Sequence, residues 1–364
     1  QTGFIDRHNY FGGGSGHRLQ AGEVRHRSML AEPGSGLLST GMQQVLDRPF
    51  AFSEWMRLSP NEWTAEASPI IAAYGMGLQG WDASYAYASN APGISKTVQA
   101  AGHGVYNADA ISQIGLYPAL TNMLYRDDLK EAPMAALLNV QPALLKLGEV
   151  GLSQVVEQDY DVKSLSGDVP SEILAIGKVA VNFNPATAGA SVAANRAYWN
   201  REKRHIRSVT GQLNWHYGEQ PYFSINTPGT QGIVGFAANT EHRLQDVTLR
   251  TDNPFAVILL SSLDTARSIT QSERLLVTTL ARSRNSGMRY SEDGKTLLEV
   301  GSAPVLMEPV DLELEFASKL PVRVHVLDHV GRRSGKSFLV DEGPVSLTGS
   351  QHHSIYYELE FLKE

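Results

Sequence analysis

Glu54 stands at the carboxyl end of an apolar run, Phe50-Ala51-Phe52, followed by Ser53-Glu54-Trp55. A carboxylate placed there needs a partner or a task, because burying it unpaired is expensive. One task is glycoside cleavage with retention, which uses a nucleophile and an acid/base whose carboxyl groups lie about 5 Å apart. In a (β/α)8 barrel such groups stand at the carboxyl ends of strands, where loops open to substrate. Glu54 has that address. The bland alternative is a structural ion pair with a cation such as Arg57.

Other residues invite chemistry less strongly. His8, His17 and His26 recur every nine residues, but zinc sites favour shorter spacings and there is no cysteine to help. No metal site and no cofactor is expected; one or two of these histidines, His8 first, are expected to line a cleft. Gly12-Gly13-Gly14-Ser15-Gly16 reads as a mobile loop, without the Lys-Ser/Thr of a phosphate cradle. Gly331-Arg332-Arg333-Ser334-Gly335-Lys336-Ser337 imitates a nucleotide-binding loop with one residue too few between its glycines, and a hairpin turn is expected instead.

The bulk numbers narrow the class. The 364 residues suit two or three domains, and 42% hydrophobic with 19% charged residues describes a globular chain. The formal charge of −7 with scattered arginines argues against nucleic acid as a partner. No apolar run approaches the roughly 18 residues of a membrane span. The absence of cysteine excludes disulfides and thiolate chemistry. The chain opens Gln1-Thr2-Gly3 almost directly in a strand-like run, so a lost beginning is expected.

The elements that must position Glu54 alternate. Phe4 to Tyr10 reads as a strand, Thr40 to Leu46 as helical, Pro49 to Trp55 as a strand, Glu66 to Gln79 as a small-residue helix, and Gly80 to Tyr87 as a strand. That order is the signature of a parallel α/β sheet. Residues 104 to 150 read mainly as helix. From about 170 the period changes to two, with strands expected at Ile173–Ile176, Lys178–Phe183, Phe255–Leu260, Leu275–Leu280 and onward to Ile355–Phe361. Many short strands separated by turns argue for an antiparallel sandwich. The expected division is therefore 1–103, 104–168 and 169–364.

Pro49-Phe50-Ala51-Phe52-Ser53-Glu54-Trp55, Pro60-Asn61-Glu62-Trp63, Glu66, Ala72-Ala73-Tyr74 and Gln79-Gly80-Trp81-Asp82 together resemble strands seven and eight of clan A retaining glycoside hydrolases. Asp6-Arg7-His8-Asn9-Tyr10 resembles strand six. The resemblance covers roughly residues 3 to 90. It implies an α/β plus all-β chain: strands about six to eight of a (β/α)8 TIM barrel, a helical closing segment, and a β-sandwich without chemistry. It makes Glu54 the nucleophile and Tyr10 its hydrogen-bond partner. Trp81 becomes the sugar platform, Asp82 a hydroxyl contact, and Trp55, His8 and Asn61 further substrate contacts. The clan's acid/base follows an Asn at the end of strand four, which would lie before Gln1. Asn61-Glu62 has the right letters in the wrong place, a loop after the nucleophile strand.

The resemblance thus implies a carbohydrate substrate, for which an algal or plant β-galactan is the suggestion. It also implies an N-terminal half of the same barrel as partner, and a secreted or periplasmic location. The competing reading is a non-catalytic carbohydrate-binding or scaffold protein that holds glycan on exposed aromatics such as Trp199, Trp215 and Tyr217. A flavin or nicotinamide enzyme has no glycine-rich strand–turn–helix to support it.

Overall fold

A computed structural model describes residues 3–14, 16–89, 95–99, 104–149, 151–159, 162–193, 197–264, 266–317 and 321–362. Gln1 and Thr2 of the expected opening, Ser15 of the glycine-rich segment and the expected boundary at 103 lie outside these residues. Strands hold 42% of the chain and helices 15%, in several sheets, so the architecture is dominated by sheet.

Three parallel strands carry the Glu54 region: β1 (Ile5–Gly14), β3 (Phe50–Leu58) and β4 (Ala83–Ala86). A short β2 (Gly22–Arg25) turns back on the end of β1, giving the order β2-β1-β3-β4. The crossover from β1 to β3 carries a 3-10 helix, Gly36–Gln43. The one from β3 to β4 carries α1 (Ala67–Ile70), which runs on as a π-helix, Ile71–Leu78. Leu37, Leu38, Ile70, Tyr74 and Leu78 of these helices are buried against Phe50, Phe52 and Trp55 in one core. The glycine-rich segment departs from expectation. Gly12, Gly13 and Gly14 are the end of β1, Gly13 and Gly14 pairing with Arg25 and Val24. Gly12 has φ 75°, and a Cβ there would come within 2.8 Å of the Asn61 side chain.

The expected helical segment is mostly not helix. Among the described residues only α2 (Ile111–Ile114), α3 (Tyr117–Tyr125) and α4 (Pro142–Leu145) are, and Asp127, at φ 51°, turns the chain away after α3. Met134–Asn139 forms β5, between the parallel β8 (Lys178–Asn182) and the antiparallel β9 (Gly189–Val192). Met-Ala-Ala-Leu-Leu favours helix locally, and strand pairing overrides that weak preference. β6 (Gln154–Asp159) and β7 (Val162–Gly167) form a hairpin whose Val162 pairs with Tyr10 of β1. Ile173–Ile176, expected as strand, lies instead at the end of a 3-10 turn, Ser171–Ala175, whose Leu174 carbonyl accepts from the Gln79 amide at 2.8 Å.

Most of the remaining strands build an antiparallel sheet of ten and another of four; Ser283–Ser286 and Ser302–Met307 pair by themselves, and Arg289–Tyr290 and Thr296–Glu299 extend the sheet of β1 beyond β2. Ile258, Leu260, Leu275 and Val277 of the large sheet share a core with Val247, Leu249, Leu312 and Leu347 of the small one. The alternate residues Val257, Leu259 and Leu276 face the opposite way, into the core beneath the parallel strands. Burial on both faces is why Phe255 to Leu260 reads as an unbroken apolar run. The segment that imitates a nucleotide loop joins two antiparallel strands, Val322–Leu327 and Arg333–Val340, as a hairpin.

Candidate active site

One extra residue in β3 sets the direction of Glu54. The pairing with β1 runs Ile5↔Phe50, Asp6↔Ala51 and Arg7↔Phe52, then jumps to His8↔Glu54. Against β4 it jumps from Phe52↔Ser84 to Trp55↔Ala86. Side chains alternate along a strand, so regular pairing would send Glu54 to the core with Phe50 and Phe52. The bulge at Ser53 reverses that, as bulges beside active sites do when they re-aim a side chain. Phe50, Phe52 and Trp55 stay in the core, and Glu54 joins His8, Tyr10 and Met56 on the other face.

Tyr10 and His8 meet Glu54 at one oxygen. The Tyr10 hydroxyl donates to Glu54 Oε2 at 2.7 Å, and His8 Nδ1 lies 3.4 Å from the same atom. His8 Nε2 lies 3.8 Å from Asp6 Oδ2, extending the polar row along the face. The Glu54 side chain is one-third exposed and can be reached by a ligand. Tyr10 is buried, edge-on to Tyr106 at 4.9 Å and Tyr87 at 6.5 Å. Its phenol is therefore rigidly mounted, and it fixes the carboxylate's orientation.

No protein-family model, no curated protein and no solved structure matches this chain.

The Arg57 alternative for Glu54 fails. Arg57 pairs with Glu66 at 2.5 Å, both side chains fully buried. Glu66 also accepts from Ser28 Oγ at 2.5 Å and from the Met29 N–H at 2.8 Å. Burial, opposed by the pairing, lowers the Arg57 pKa to about 10 and raises that of Glu66.

Four expected substrate contacts are structural instead. Trp81 is 3% exposed, packed on Phe50 and Phe52, and seated over Gly75, where an added Cβ would meet its ring at 2.6 Å. It is a core residue and offers no platform. Asp82 lies at the opposite end of the strands from Tyr10; its carboxylate accepts the Phe50 N–H at 2.8 Å. Trp55 is buried on the helix face, its indole N–H donating to Ser84 Oγ at 2.8 Å. Asn61 is buried and accepts from Arg57 Nη2 at 2.8 Å while donating to the Arg25 carbonyl at 2.6 Å. Its neighbour Glu62 is buried against Arg284, far from any role as acid/base.

Two residues were missed. Ser84 and Ala86 of β4 face the core opposite Phe52 and Trp55, so Tyr85 between them stands on the Glu54 face, across from the bulge. It is 62% exposed, at the sheet edge. Its signal was parity: it is the aromatic of β4 out of phase with the core residues. Asn9 is buried, its amide donating to Thr40 Oγ1 at 2.9 Å and to the Lys163 carbonyl at 3.0 Å, which pins helix and hairpin to β1.

The three histidines do not converge. His17 lies against Tyr106 and His26 against Tyr290, with the His26 pKa lowered chiefly by burial, Glu62 opposing. Among the described residues no cluster of His, Cys, Asp and Glu could hold a metal ion, and no helix is long and apolar enough to cross a membrane. The aromatics invoked for glycan holding are not free platforms either. Trp215 is 1% exposed and donates to the Leu30 carbonyl at 2.8 Å. Trp199 donates to Tyr217 at 2.8 Å, with the Arg201 guanidinium 4.2 Å over its ring.

Proposed function

We propose that this chain carries the nucleophile half of a retaining β-glycoside hydrolase acting on a poly- or oligosaccharide, with Glu54 as nucleophile. The observation that carries the reading is the Tyr10–Glu54 hydrogen bond of 2.7 Å, made on the Tyr10 face of the strands, to which the bulge has turned Glu54. In this reading β1, β3 and β4 are strands six to eight of a (β/α)8 barrel, and the two packed antiparallel sheets are a non-catalytic β-sandwich. Glu54 attacks the anomeric carbon as the bond to the leaving oxygen breaks, and that oxygen takes a proton from an acid/base. Water, deprotonated by the same acid/base, then attacks the anomeric carbon from the face the leaving oxygen vacated, opposite Glu54, and the ester bond breaks to free the carboxylate. Tyr10 holds Oε2 throughout, His8 meets substrate hydroxyls, and Tyr85 offers an exposed ring beside the bulge.

The acid/base belongs to an N-terminal part of the barrel. Beyond β3, β4 has no strand neighbour among the described residues, and an apolar groove of about 630 Å³ lined by Ile71, Met76, Leu120 and Leu124 runs beside it. In this reading a strand of that part pairs with β4 along this edge. Secreted or periplasmic action follows from a polysaccharide substrate.

Covalent labelling tests the assignment. The complete protein is treated with 2-deoxy-2-fluoro-β-glycosyl fluorides of galactose and glucose, then digested and mapped by mass spectrometry. One added glycosyl unit on the peptide containing Glu54 is expected. A label on a different carboxylate, or turnover with inverted anomeric configuration, overturns it.

A further inference from the structure

A row of four rings crosses the large sheet where it meets the edge of the small one. His205 and His216 are cross-strand partners, their rings stacked 4.4 Å apart. His216 is also paired with Tyr222, stacked at 4.6 Å, and Tyr222 meets His242 edge-on at 4.7 Å. His205, His216 and Tyr222 belong to the ten-stranded sheet. His242 belongs to His242–Arg243, the edge strand of the four-stranded sheet. The row therefore ties one sheet to the other.

We propose that this row is an acid-released clasp: three neutral imidazoles hold the edge of the small sheet against the large one, and their protonation lets that edge lift.

Charged or titratable neighbours oppose protonation of two of the rings, and burial opposes it at all three. Lys203 and Arg207 act on His205, and His205 and His242 act on His216. No carboxylate acts on any of the three imidazoles among the described residues. Glu241, beside His242 in sequence, is bound to Arg243 and Arg250. The hydrogen-bond partners are neutral groups, Asn214 at His205 and the Ala237 carbonyl, which accepts from His242 Nε2 at 2.9 Å. Protonating neighbouring rings would place like charges under 5 Å apart in a half-buried site.

Burial lowers all three pKa values, that of His216 to about 4 with help from its two neighbours. A lowered histidine pKa means that the released form binds protons first. The clasp is whole above the ordinary value of 6.5 and is lost as pH falls from there towards about 4. For His216 alone, linkage multiplies the opening equilibrium by about 30 between pH 7.5 and 5.0, or by roughly 10 when its partial exposure is allowed for.

Amide hydrogen exchange on the intact chain, corrected for intrinsic rates, reads this opening. Between pH 7.5 and 5.0, protection in residues 240–250 is expected to fall by roughly 10-fold or more. In His216→Phe, whose ring stacks but takes no proton, the fall is expected to be markedly smaller. Equal loss in the two proteins, or no loss in the unsubstituted one, overturns the clasp. Proton NMR of the unsubstituted chain decides independently of how the variant folds: the His216 ring must titrate well below 6.5, and an ordinary titration rejects the proposal.

Discussion

With Glu54 as the proposed nucleophile, Glu54→Gln in the complete protein is expected to lose turnover by roughly 10⁴-fold or more, the scale on which removal of a nucleophile acts. The amide keeps the shape of the carboxylate and still accepts from the Tyr10 hydroxyl through its carbonyl oxygen. It cannot form the glycosyl ester, so the double displacement stops at its first step. Thermal unfolding should be unchanged, because Glu54 is one-third exposed and the neighbouring guanidinium, Arg57, belongs to Glu66. Initial rates and scanning calorimetry on the same preparation separate the two effects. Activity above about 1% of the parent would remove Glu54 from the mechanism. A matching loss of stability would return it to a structural role. Azide added to Glu54→Ala gives a third reading: it should enter the vacated space and yield a glycosyl azide of inverted configuration.

The second large effect concerns stability. Arg57→Met strips the partner from a carboxylate that is fully buried and already binds Ser28 and the Met29 N–H. Breaking a buried pair on one side costs about 3–5 kcal/mol, since it leaves an uncompensated group in the interior. For a unit of this size that lowers Tm by roughly 10 °C. The double variant Arg57→Met/Glu66→Met should lose less than the sum of the single losses, because removing both charges removes the orphan. Guanidinium unfolding of the three variants measures this. Single losses within about 1 kcal/mol of zero would mean that the pair contributes nothing.

The strands holding the site were legible because Phe50-Ala51-Phe52 and the run ending in Tyr10 are apolar stretches bounded by turn residues. The closeness of Tyr10 and Glu54 followed from their strands being neighbours, and the pair is made at 2.7 Å. What could not be read was the bulge. Plain alternation along Phe50-Ala51-Phe52-Ser53-Glu54 puts Glu54 on the same side as the two phenylalanines, and only the partner strands reveal the extra residue at Ser53. Trp81 was misread for a related reason. A tryptophan near a strand suggests a sugar surface, whereas Gly75 on the preceding helix and Gly41, distant in sequence, leave a hollow that its ring fills. Asn61 has a side chain suited to sugar hydroxyls, and that suitability serves Arg57 equally well. The strand at Met134–Asn139 stayed hidden because its partners arrive some forty and fifty residues later.

The large antiparallel sheet acts as a party wall. One side of it closes the interior of the paired sheets, and the other closes the interior beneath the strand that bears Glu54. A wall shared by two rooms cannot be given to either. A cut near residue 169 would leave Val257, Leu259 and Leu276 bare on one piece and Phe50, Tyr74 and Leu78 bare on the other. The chain's natural seam runs along an internal surface and does not coincide with any point in its sequence.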